Sequence, residues 1–228
     1  MWFYMKIYAM SDIHGCLQEF EAALELVDLS GDNKLILLGD YIHSGADSYG
    51  VLKKIMRLQR KYGSDKVVAL MGNHEEMVME GRAPIEEAWG EGLYDSGNAE
   101  DDNFIFFMQN LPLYHVEDNI IFVHAGIDEE AGEEWEWEST DRDFLEKYPA
   151  ETGYFKGEMI IVAGHVGTAV IADNNRFHDI YYDGESHYYI DATVYESGIL
   201  NVLMYDTEEK KFYQISEAGK YEIEQYEE

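Results

Sequence analysis

Residues 2–15 read Trp-Phe-Tyr-Met-Lys-Ile-Tyr-Ala-Met-Ser-Asp-Ile-His-Gly, an apolar run that ends in an Asp-x-His sequence. The apolar and aromatic part, Trp2 to Met10, is typical of a buried strand. Helical spacing of apolar residues follows from Leu17 to Leu29. The alternation continues with a strand, a helix and a strand at Lys34–Leu38, Ser48–Lys61 and Lys66–Met71. This order predicts an α/β fold in which helical crossovers join parallel strands.

The second half of the chain is predicted to consist mainly of short strands. They lie at Ile120–Val123, Met159–Ala163, Ile180–Tyr182, Tyr188–Ile190, Ile199–Tyr205 and Phe212–Ile215. We find neither a repeat nor a linker, so a single domain over residues 1–228 is expected. The polar, glycine-containing segment Gly81–Asn103 is interpreted as a cap or lid.

The formal net charge of −31 on 228 residues argues against nucleic acid and anionic membranes as partners, because both require Lys and Arg. High solubility alone also accounts for such a charge. A single cysteine, Cys16, excludes an internal disulfide framework. We see no secretory leader and no apolar run near the roughly 20 residues of a membrane span. A cytoplasmic protein is therefore expected, and its oligomeric state is left open.

Five predicted strands each end in a polar tail. The tails are Ser11-Asp12-Ile13-His14-Gly15, Gly39-Asp40-Tyr41-Ile42-His43, Gly72-Asn73-His74-Glu75, His124-Ala125-Gly126 and Gly164-His165. Carboxyl ends of strands in α/β sheets converge on one edge, where such proteins place their sites. One isolated Asp-x-His is better explained as structural. Five strand ends are not, because polar groups buried there without partners would be costly.

The residue types at these strand ends select the metals. Aspartate, asparagine and imidazole without a thiolate favour Mn²⁺, with Fe or Zn²⁺ as alternatives. A carboxylate such as Asp40 can bridge two cations roughly 3.5–4 Å apart, and such a pair generates hydroxide at neutral pH and binds phosphate oxygens. The pattern thus indicates hydrolysis of phosphoesters without a covalent intermediate.

These combined motifs resemble the calcineurin-like metallophosphoesterase superfamily over about Ile7 to Tyr205. The phosphoprotein phosphatase branch is the most similar, including bacterial serine/threonine phosphatases and symmetrical diadenosine tetraphosphate hydrolases. The resemblance implies a four-layer αββα sandwich with two mixed sheets and a site on the rim. It also implies two divalent metal ions and attack by metal-bound hydroxide.

The resemblance assigns a role to each motif residue. It implies that Asp12, His14 and Asp40 bind one metal, and that Asp40, Asn73, His124 and His165 bind the other. His74 would be the acid that protonates the leaving oxygen.

The second motif departs from the branch pattern Gly-Asp-x-x-Asp-Arg-Gly, because His43 and Ser44 replace the Asp-Arg pair. His43 cannot offer the full negative charge that supports a cationic acid, so a lower pKa is expected for His74. At the position of Ser44, relatives have an arginine that binds phosphate through two hydrogen bonds. Ser44 can offer only a neutral hydrogen bond.

Arg142 is the best substitute for the missing arginine, since bacterial relatives place a second phosphate-binding Arg near that point. A surface ion pair with Asp141 or Asp143 is the alternative interpretation. Arg82 follows the third motif and is a weaker candidate.

The remaining histidines have no motif around them. We interpret them as surface or core histidines; they are His115, His178 and His187. Tyr195 is a modest candidate for an aromatic residue beside the site, because tyrosine is abundant in this chain.

Three functional hypotheses follow. The leading one is hydrolysis of a phosphomonoester, on a phosphoprotein or a small metabolite. The second is cleavage of a dinucleoside polyphosphate, against which the small number of Lys and Arg residues, 16, argues mildly. The third is a metal-binding interaction protein without catalytic activity, in which the replacement of the Asp-Arg pair by His43 and Ser44 reflects the loss of that activity. The intact set of six ligands argues against this third hypothesis.

Overall fold

The computed structural model of this chain describes residues 4–85 and 99–227, with only the backbone of residues 99–102. The predicted cap or lid falls mostly outside these residues, because 86–98 are not described. Of the remainder, Gly81–Ile85 is irregular and 99–103 begins a helix.

Strands in the described residues form two sheets. Their bounds are Lys6–Met10 (β1), Lys34–Leu37 (β2), Val67–Ala69 (β3), Tyr114–Glu117 (β4), Ile120–Val123 (β5), Ile160–Ala163 (β6), Tyr181–Tyr182 (β7), His187–Tyr189 (β8), Val202–Asp206 (β9), Lys211–Ser216 (β10) and Gly219–Glu222 (β11). One sheet has the order β11-β10-β9-β1-β2-β3, and the other has the order β4-β5-β6-β8-β7. The strands β1, β2 and β3 are parallel, as are β5, β6 and β8. The strands β9, β10 and β11 and the strands β4 and β7 pair antiparallel with their neighbours. Both sheets are therefore mixed.

The helices are Leu17–Leu24 (α1), Ser48–Tyr62 (α2), Asn73–Met79 (α3), Ala99–Met108 (α4), Trp135–Glu138 (α5), Asp141–Glu146 (α6), Thr168–Ile171 (α7) and Val194–Ser197 (α8). A 3₁₀ segment at Glu129–Glu134 precedes α5. The crossover helix α2 begins where Asp47 accepts a hydrogen bond from the Gly50 amide at 2.6 Å, which satisfies one of the free amides of the first turn.

Alternation along the strands separates three apolar clusters. In β1, Tyr8 and Met10 pack with the buried faces of α1 and α2, whereas Ile7 and Ala9 point to the other sheet. Between the sheets, Ile7 and Ala9 meet residues of β5 and β6, such as Phe122. A third cluster joins the outer face of the second sheet to α5 and α6. The layers are thus helix, sheet, sheet, helix, and the mixed two-sheet fold expected from the resemblance is confirmed.

Several predicted boundaries were wrong, for local reasons. The helix expected from Leu17 to Leu29 ends at Leu24, because the amides of Leu26 and Val27 bond three residues back and the chain tightens into turns. The strand expected to reach Met71 ends at Ala69, because the Met71 amide bonds instead to the carbonyl of Pro112. The sequence interpretation missed β4, β11 and five helices, which are α3, α5, α6, α7 and α8.

Among the described residues, no helix is both long enough and apolar enough to cross a membrane.

Candidate metal centre

All the predicted metal ligands lie at the carboxyl ends of parallel strands, on the same side of the molecule. The ligands follow the carboxyl ends of their strands: Asp12 and His14 after β1, Asp40 after β2, Asn73 after β3, His124 after β5 and His165 after β6. Three of these strands belong to one sheet and two to the other. The site therefore lies across the adjacent edges of both sheets, where the layered fold brings the strand ends together.

Donor atoms of these residues are spaced as ligands of shared ions would be. Nε2 of His14 lies 3.7 Å from Oδ2 of Asp40, and Nε2 of His124 lies 3.5 Å from Oδ1 of Asp40. Oδ1 of Asn73 lies 2.9 Å from Nε2 of His124. Nitrogen and oxygen ligands stand about 2.0–2.2 Å from a divalent ion, so two ligands of one ion are expected roughly 3–4 Å apart. Asp40 faces a histidine with each oxygen, an arrangement compatible with a carboxylate that bridges two cations.

Two groups of three potential ligands are compact enough to hold an ion, with donor atoms within 4.8 Å of one another. They are His14, Asp40 and His74, and Asp40, His124 and His165. Asp40 belongs to both groups. The predicted ligand Asp12 adjoins the first group, since its Oδ1 lies 3.9 Å from Nε2 of His14.

Backbone carbonyls fix the ring orientation of two candidate ligands. Nδ1 of His14 lies 3.2 Å from the Ile42 carbonyl, and Nδ1 of His124 lies 3.0 Å from the Leu38 carbonyl. A carbonyl oxygen only accepts, so Nδ1 carries the proton in both rings. Nε2 is then left with a lone pair toward the site, as a metal-binding imidazole requires.

Burying the ionised carboxylates of this centre is energetically unfavourable unless cations are bound there. Asp12 and Asp40 are buried and, among the described residues, form no ion pair with a lysine or arginine. Burial raises the pKa of Asp40 well above its usual value, and the neighbouring Asp12 and Glu75 carboxyls add to that effect. Such charges need an opposite charge to be stable. These residues fit a centre for divalent metal ions.

The backbone at the site adopts left-handed conformations. Seven of the eleven described non-glycine residues with positive φ belong to the site loops: Asp12, His14, Asp40, His43, Ser44, His165 and Thr193. Such strain concentrates where function fixes the geometry. Gly164 is required by space rather than by φ, since a Cβ there would lie 1.9 Å from Oγ of Ser11 and 2.1 Å from Oδ2 of Asp12.

The side chain of Glu75, in the third motif, is hydrogen-bonded to the backbone of the second motif. We did not infer this role from the sequence. Its fully buried carboxyl accepts hydrogen bonds from the amides of Asp40 and Tyr41, at 2.8 Å each, and from the Gly72 amide at 3.1 Å. Burial raises the pKa of Glu75 to about 7, although these three amides favour the ionised form. Glu75 therefore positions Asp40.

His74 and His43 are in direct contact. Their Nδ1 atoms are 2.8 Å apart, and Nε2 of His43 lies 2.6 Å from the Pro84 carbonyl. The carbonyl requires a proton on Nε2 of His43, so a neutral His43 accepts at Nδ1 from the Nδ1–H of His74. Nε2 of His74 then faces the centre, 3.8 Å from Oδ2 of Asp40. Burial, together with the charges of the nearby His14 and His43 rings, lowers the pKa of His74 to about 3.

The candidate phosphate-binding arginines do not line the site cavity in this structure. The side chain of Arg142, on α6, is 85% exposed, and its Nε lies 3.9 Å from Glu146 rather than from Asp141 or Asp143. Arg82 pairs with two glutamates of its own segment. A role for Arg142 in binding phosphate stays a prediction.

An open cavity of about 530 Å³ lies over the candidate ligands. Its wall includes Asp191 and His178, whose positions we did not anticipate. Asp191 follows β8 and the apolar Ile190, so it repeats the strand-end pattern as a sixth instance, and that signal could have revealed it. Burial and the nearby Asp12 raise the pKa of Asp191 well above its usual value. His178 carried no motif, and only the folded chain brings it to the cavity.

His187, by contrast, is a core histidine, as one of the two interpretations expected. It lies outside the cavity wall, between the carboxylates of Asp183, at 2.7 Å, and Glu129, at 3.0 Å. Burial opposes its charge, but these two hydrogen bonds outweigh burial and raise the pKa of His187 to about 9. His115, on β4, likewise faces a glutamate and not the centre.

The two layered mixed sheets thus carry candidate metal ligands at their adjoining edges. A family model described as calcineurin-like phosphoesterase matches residues 5–202. The chain belongs to this family, whose members are phosphoester hydrolases that use divalent metal ions.

Sequence relatives carry a more specific name. A symmetrical bis(5'-nucleosyl)-tetraphosphatase of Nitrosospira multiformis is 34% identical over 128 residues, which cover 54% of this chain and 44% of that protein. The chain thus spans about half the length of the curated relatives that it matches, or less.

Solved structures support the fold. The cold-active protein-tyrosine phosphatase of a psychrophilic Shewanella species has a TM-score of 0.65 at 15% identity, covering 97% of this chain and 82% of that one. A putative diadenosine tetraphosphatase has a TM-score of 0.60 at 19% identity and covers 92% of both chains. At these identities the likeness concerns the fold alone.

Proposed function

We propose that this chain is a metal-dependent phosphoesterase that hydrolyses phosphomonoesters, on a phosphoprotein or a small metabolite. The observation that carries the proposal is the convergence of six metal-type ligands around Asp40, with the unassigned His74 beside them. We propose Mn²⁺ as the metal, with Fe or Zn²⁺ as alternatives, because the donors are carboxylate, amide and imidazole.

Divalent ions bound here would supply a hydroxide nucleophile near neutral pH and would neutralise charge on phosphoryl oxygens. We propose that Asp40 binds both ions, that Asp12 and His14 complete one site, and that the other site is completed by Asn73, His124 and His165. His74, when its ring is cationic and Nε2 also carries a proton, donates that proton to the departing oxygen. His43 holds the ring of His74 in position through the contact between their Nδ1 atoms, which are 2.8 Å apart.

The charge of the cavity supports phosphomonoesters over polyphosphates. Among the described residues that line it, there is no lysine or arginine. Residues 1–3, 86–98 and 228, which the structure does not describe, contain none either. Two metal ions can neutralise one phosphoryl group, but a chain of four phosphates would leave several charges without a partner.

A second candidate is cleavage of dinucleoside tetraphosphates, which the names of the curated relatives favour. The third is a metal-binding protein without activity, for which the loss of the Asp-Arg pair at His43 and Ser44 would be the sign.

A substrate panel with Mn²⁺ separates these candidates. It comprises p-nitrophenyl phosphate, bis-p-nitrophenyl phosphate, a phosphopeptide and diadenosine tetraphosphate. The proposal predicts the highest kcat/KM on a monoester. A preference for diadenosine tetraphosphate would support the second candidate, and no turnover above an Asp40→Asn control on any substrate would support the third.

The contact between His43 and His74 predicts a shift in pH dependence. Substituting His43→Asp places an anion beside the ring and stabilises its cationic form, so the pKa of His74 should rise from its depressed value of about 3. The acid form then persists to higher pH, and the basic limb of kcat/KM should move upward. The φ of +71° at position 43 is one that Asp tolerates. The measurement is the pH profile of kcat/KM on an alkyl phosphate.

His43→Asn is the matched neutral control, and it should not reproduce the shift. The shift should also vanish when His43→Asp is combined with His74→Asn. An unchanged profile in His43→Asp, with His74 still required for activity, would mean that the two rings are not coupled in catalysis.

A further inference from the structure

Beyond the candidate metal ligands, the described wall of the site cavity contains carboxylates, neutral polar groups and apolar groups, but no lysine or arginine. The α8 segment contributes Tyr195, which is 47% exposed, and the exposed carboxylate Glu196. Val170, exposed on α7, faces the same cavity. Among the described residues, no lysine or arginine lies within ion-pair distance of Glu196, so its charge is free to meet a ligand.

The two arginines considered above as phosphate ligands lie against glutamates. Arg82 pairs with Glu76 and Glu80, and Arg142 lies nearest to Glu146. Neither arginine lines the cavity. Bound metals would give the floor of the cavity positive charge for one phosphate, whereas the wall offers negative charge to whatever the phosphate is attached to.

We propose that the preferred substrates are phosphomonoesters whose leaving alcohol carries an ammonium or guanidinium group, and that Glu196 and Tyr195 bind that cation. The inference rests on the proposed phosphomonoesterase function and names its substrate class. Water and the ester yield inorganic phosphate and the cationic alcohol, so no other reactant is required. The source is either a small amino-alcohol phosphate or a phosphorylated side chain beside a basic residue.

The spacing across the cavity suits such a group. The ring centroid of Tyr195 lies 5.3 Å from that of the candidate ligand His14. A cation held by an aromatic ring stands within about 6 Å of the ring centroid. A phosphate at the metal centre and a cation on Tyr195 are therefore separated by a short alkyl chain. Glu196, the next residue on α8, lines the same cavity and adds a negative charge to it.

Three monoesters of similar length test the preference: phosphoethanolamine, 2-hydroxyethyl phosphate and phosphoglycolate, whose leaving groups are cationic, neutral and anionic. With Mn²⁺ at low ionic strength, kcat/KM should be about tenfold or more higher for the cationic ester than for the anionic one, with the neutral ester between them. The ratio should shrink as salt is added. A pair of phosphopeptides that differ only in Arg or Glu beside the phosphorylated residue distinguishes the protein source from the small-molecule source.

Glu196→Gln should lower the cationic-to-neutral ratio about two- to fivefold, the effect of one exposed ion pair. Glu208→Gln is the matched control, with the same change of charge. Glu208 lies in the turn after β9, whose final residue pairs with Lys6 at the start of β1, so it is on the edge opposite the site. The control should leave the ratio unchanged.

Binding without turnover gives an independent readout. Calorimetry of the metal-loaded protein should show tighter binding of 2-aminoethylphosphonate than of propylphosphonate, and Glu196→Gln should reduce that difference. Equal kcat/KM for the three esters, or a ratio that Glu196→Gln and Glu208→Gln change alike, would overturn the inference while monoester hydrolysis stands. No hydrolysis of p-nitrophenyl phosphate would instead overturn the proposed function.

Discussion

Substituting Asp40→Asn should cost more activity than any other single ligand change, because Asp40 adjoins both candidate metal positions. Its two oxygens face His14 and His124 at 3.7 Å and 3.5 Å. Loss of an outer partner of a metal site costs about 10–100-fold in affinity or activity. We expect the loss of a shared ligand to exceed about 100-fold in kcat/KM and to lower the metal content of the protein. Elemental analysis and kinetics on p-nitrophenyl phosphate measure both effects.

The fold should survive this substitution. Asparagine keeps the size of the side chain and an oxygen for the His74 amide, which lies 3.0 Å from Oδ1 of Asp40. It also removes a carboxyl whose pKa burial raises, so metal-free stability should not fall. The thermal stabilisation that added Mn²⁺ gives the wild type should be reduced. Asp65→Asn, exposed before β3 at the far edge, is the control. Full metal content and activity in Asp40→Asn would contradict a shared ligand.

Removal of the proposed acid is the second large effect. Since a general acid typically contributes about 10²–10⁴-fold, His74→Asn should lower kcat on alkyl phosphates within that range. The reason is that an alkoxide leaving group needs a proton, and Nε2 of His74 is the imidazole nitrogen directed at the centre. The measurement is kcat on an alkyl phosphate under saturating Mn²⁺.

The leaving group provides the control for this role. A nitrophenolate departs with less protonation, so kcat on p-nitrophenyl phosphate should fall much less than on an alkyl phosphate. Equal losses on both substrates would argue against an acid. A loss of bound metal would instead point to His74 as a ligand, since it lies in the same compact group as His14 and Asp40.

Much of the site could be predicted because it lies at strand ends. Residues such as Asp12 and His165 follow apolar runs that can be recognised as strands in the sequence. The carboxyl ends of parallel strands then lie together in the folded sheets. The ends of the strands were less predictable, because a strand ends where its backbone stops pairing with the neighbouring strand. The Met71 amide turns to the Pro112 carbonyl, 41 residues away in sequence, and no local pattern encodes that contact.

Other features depended on tertiary contact. Asp191 could have been found as a sixth strand end, but His178 and Glu196 reach the cavity only through the arrangement of the loops after β6 and β8. The departure at His43 was visible in the sequence. Its direct contact with His74, with the Nδ1 atoms 2.8 Å apart, is visible only in the folded chain. Arg142 shows the converse, since chain position alone did not bring its side chain to the cavity.

The central claim is that Asp40 and five surrounding residues hold two divalent ions. Anomalous scattering from crystals of the Mn²⁺-loaded protein tests it most directly. The account predicts two peaks roughly 3.5–4 Å apart, with the Asp40 carboxylate between them. A single peak, or peaks remote from Asp40 in fully loaded crystals, would contradict it.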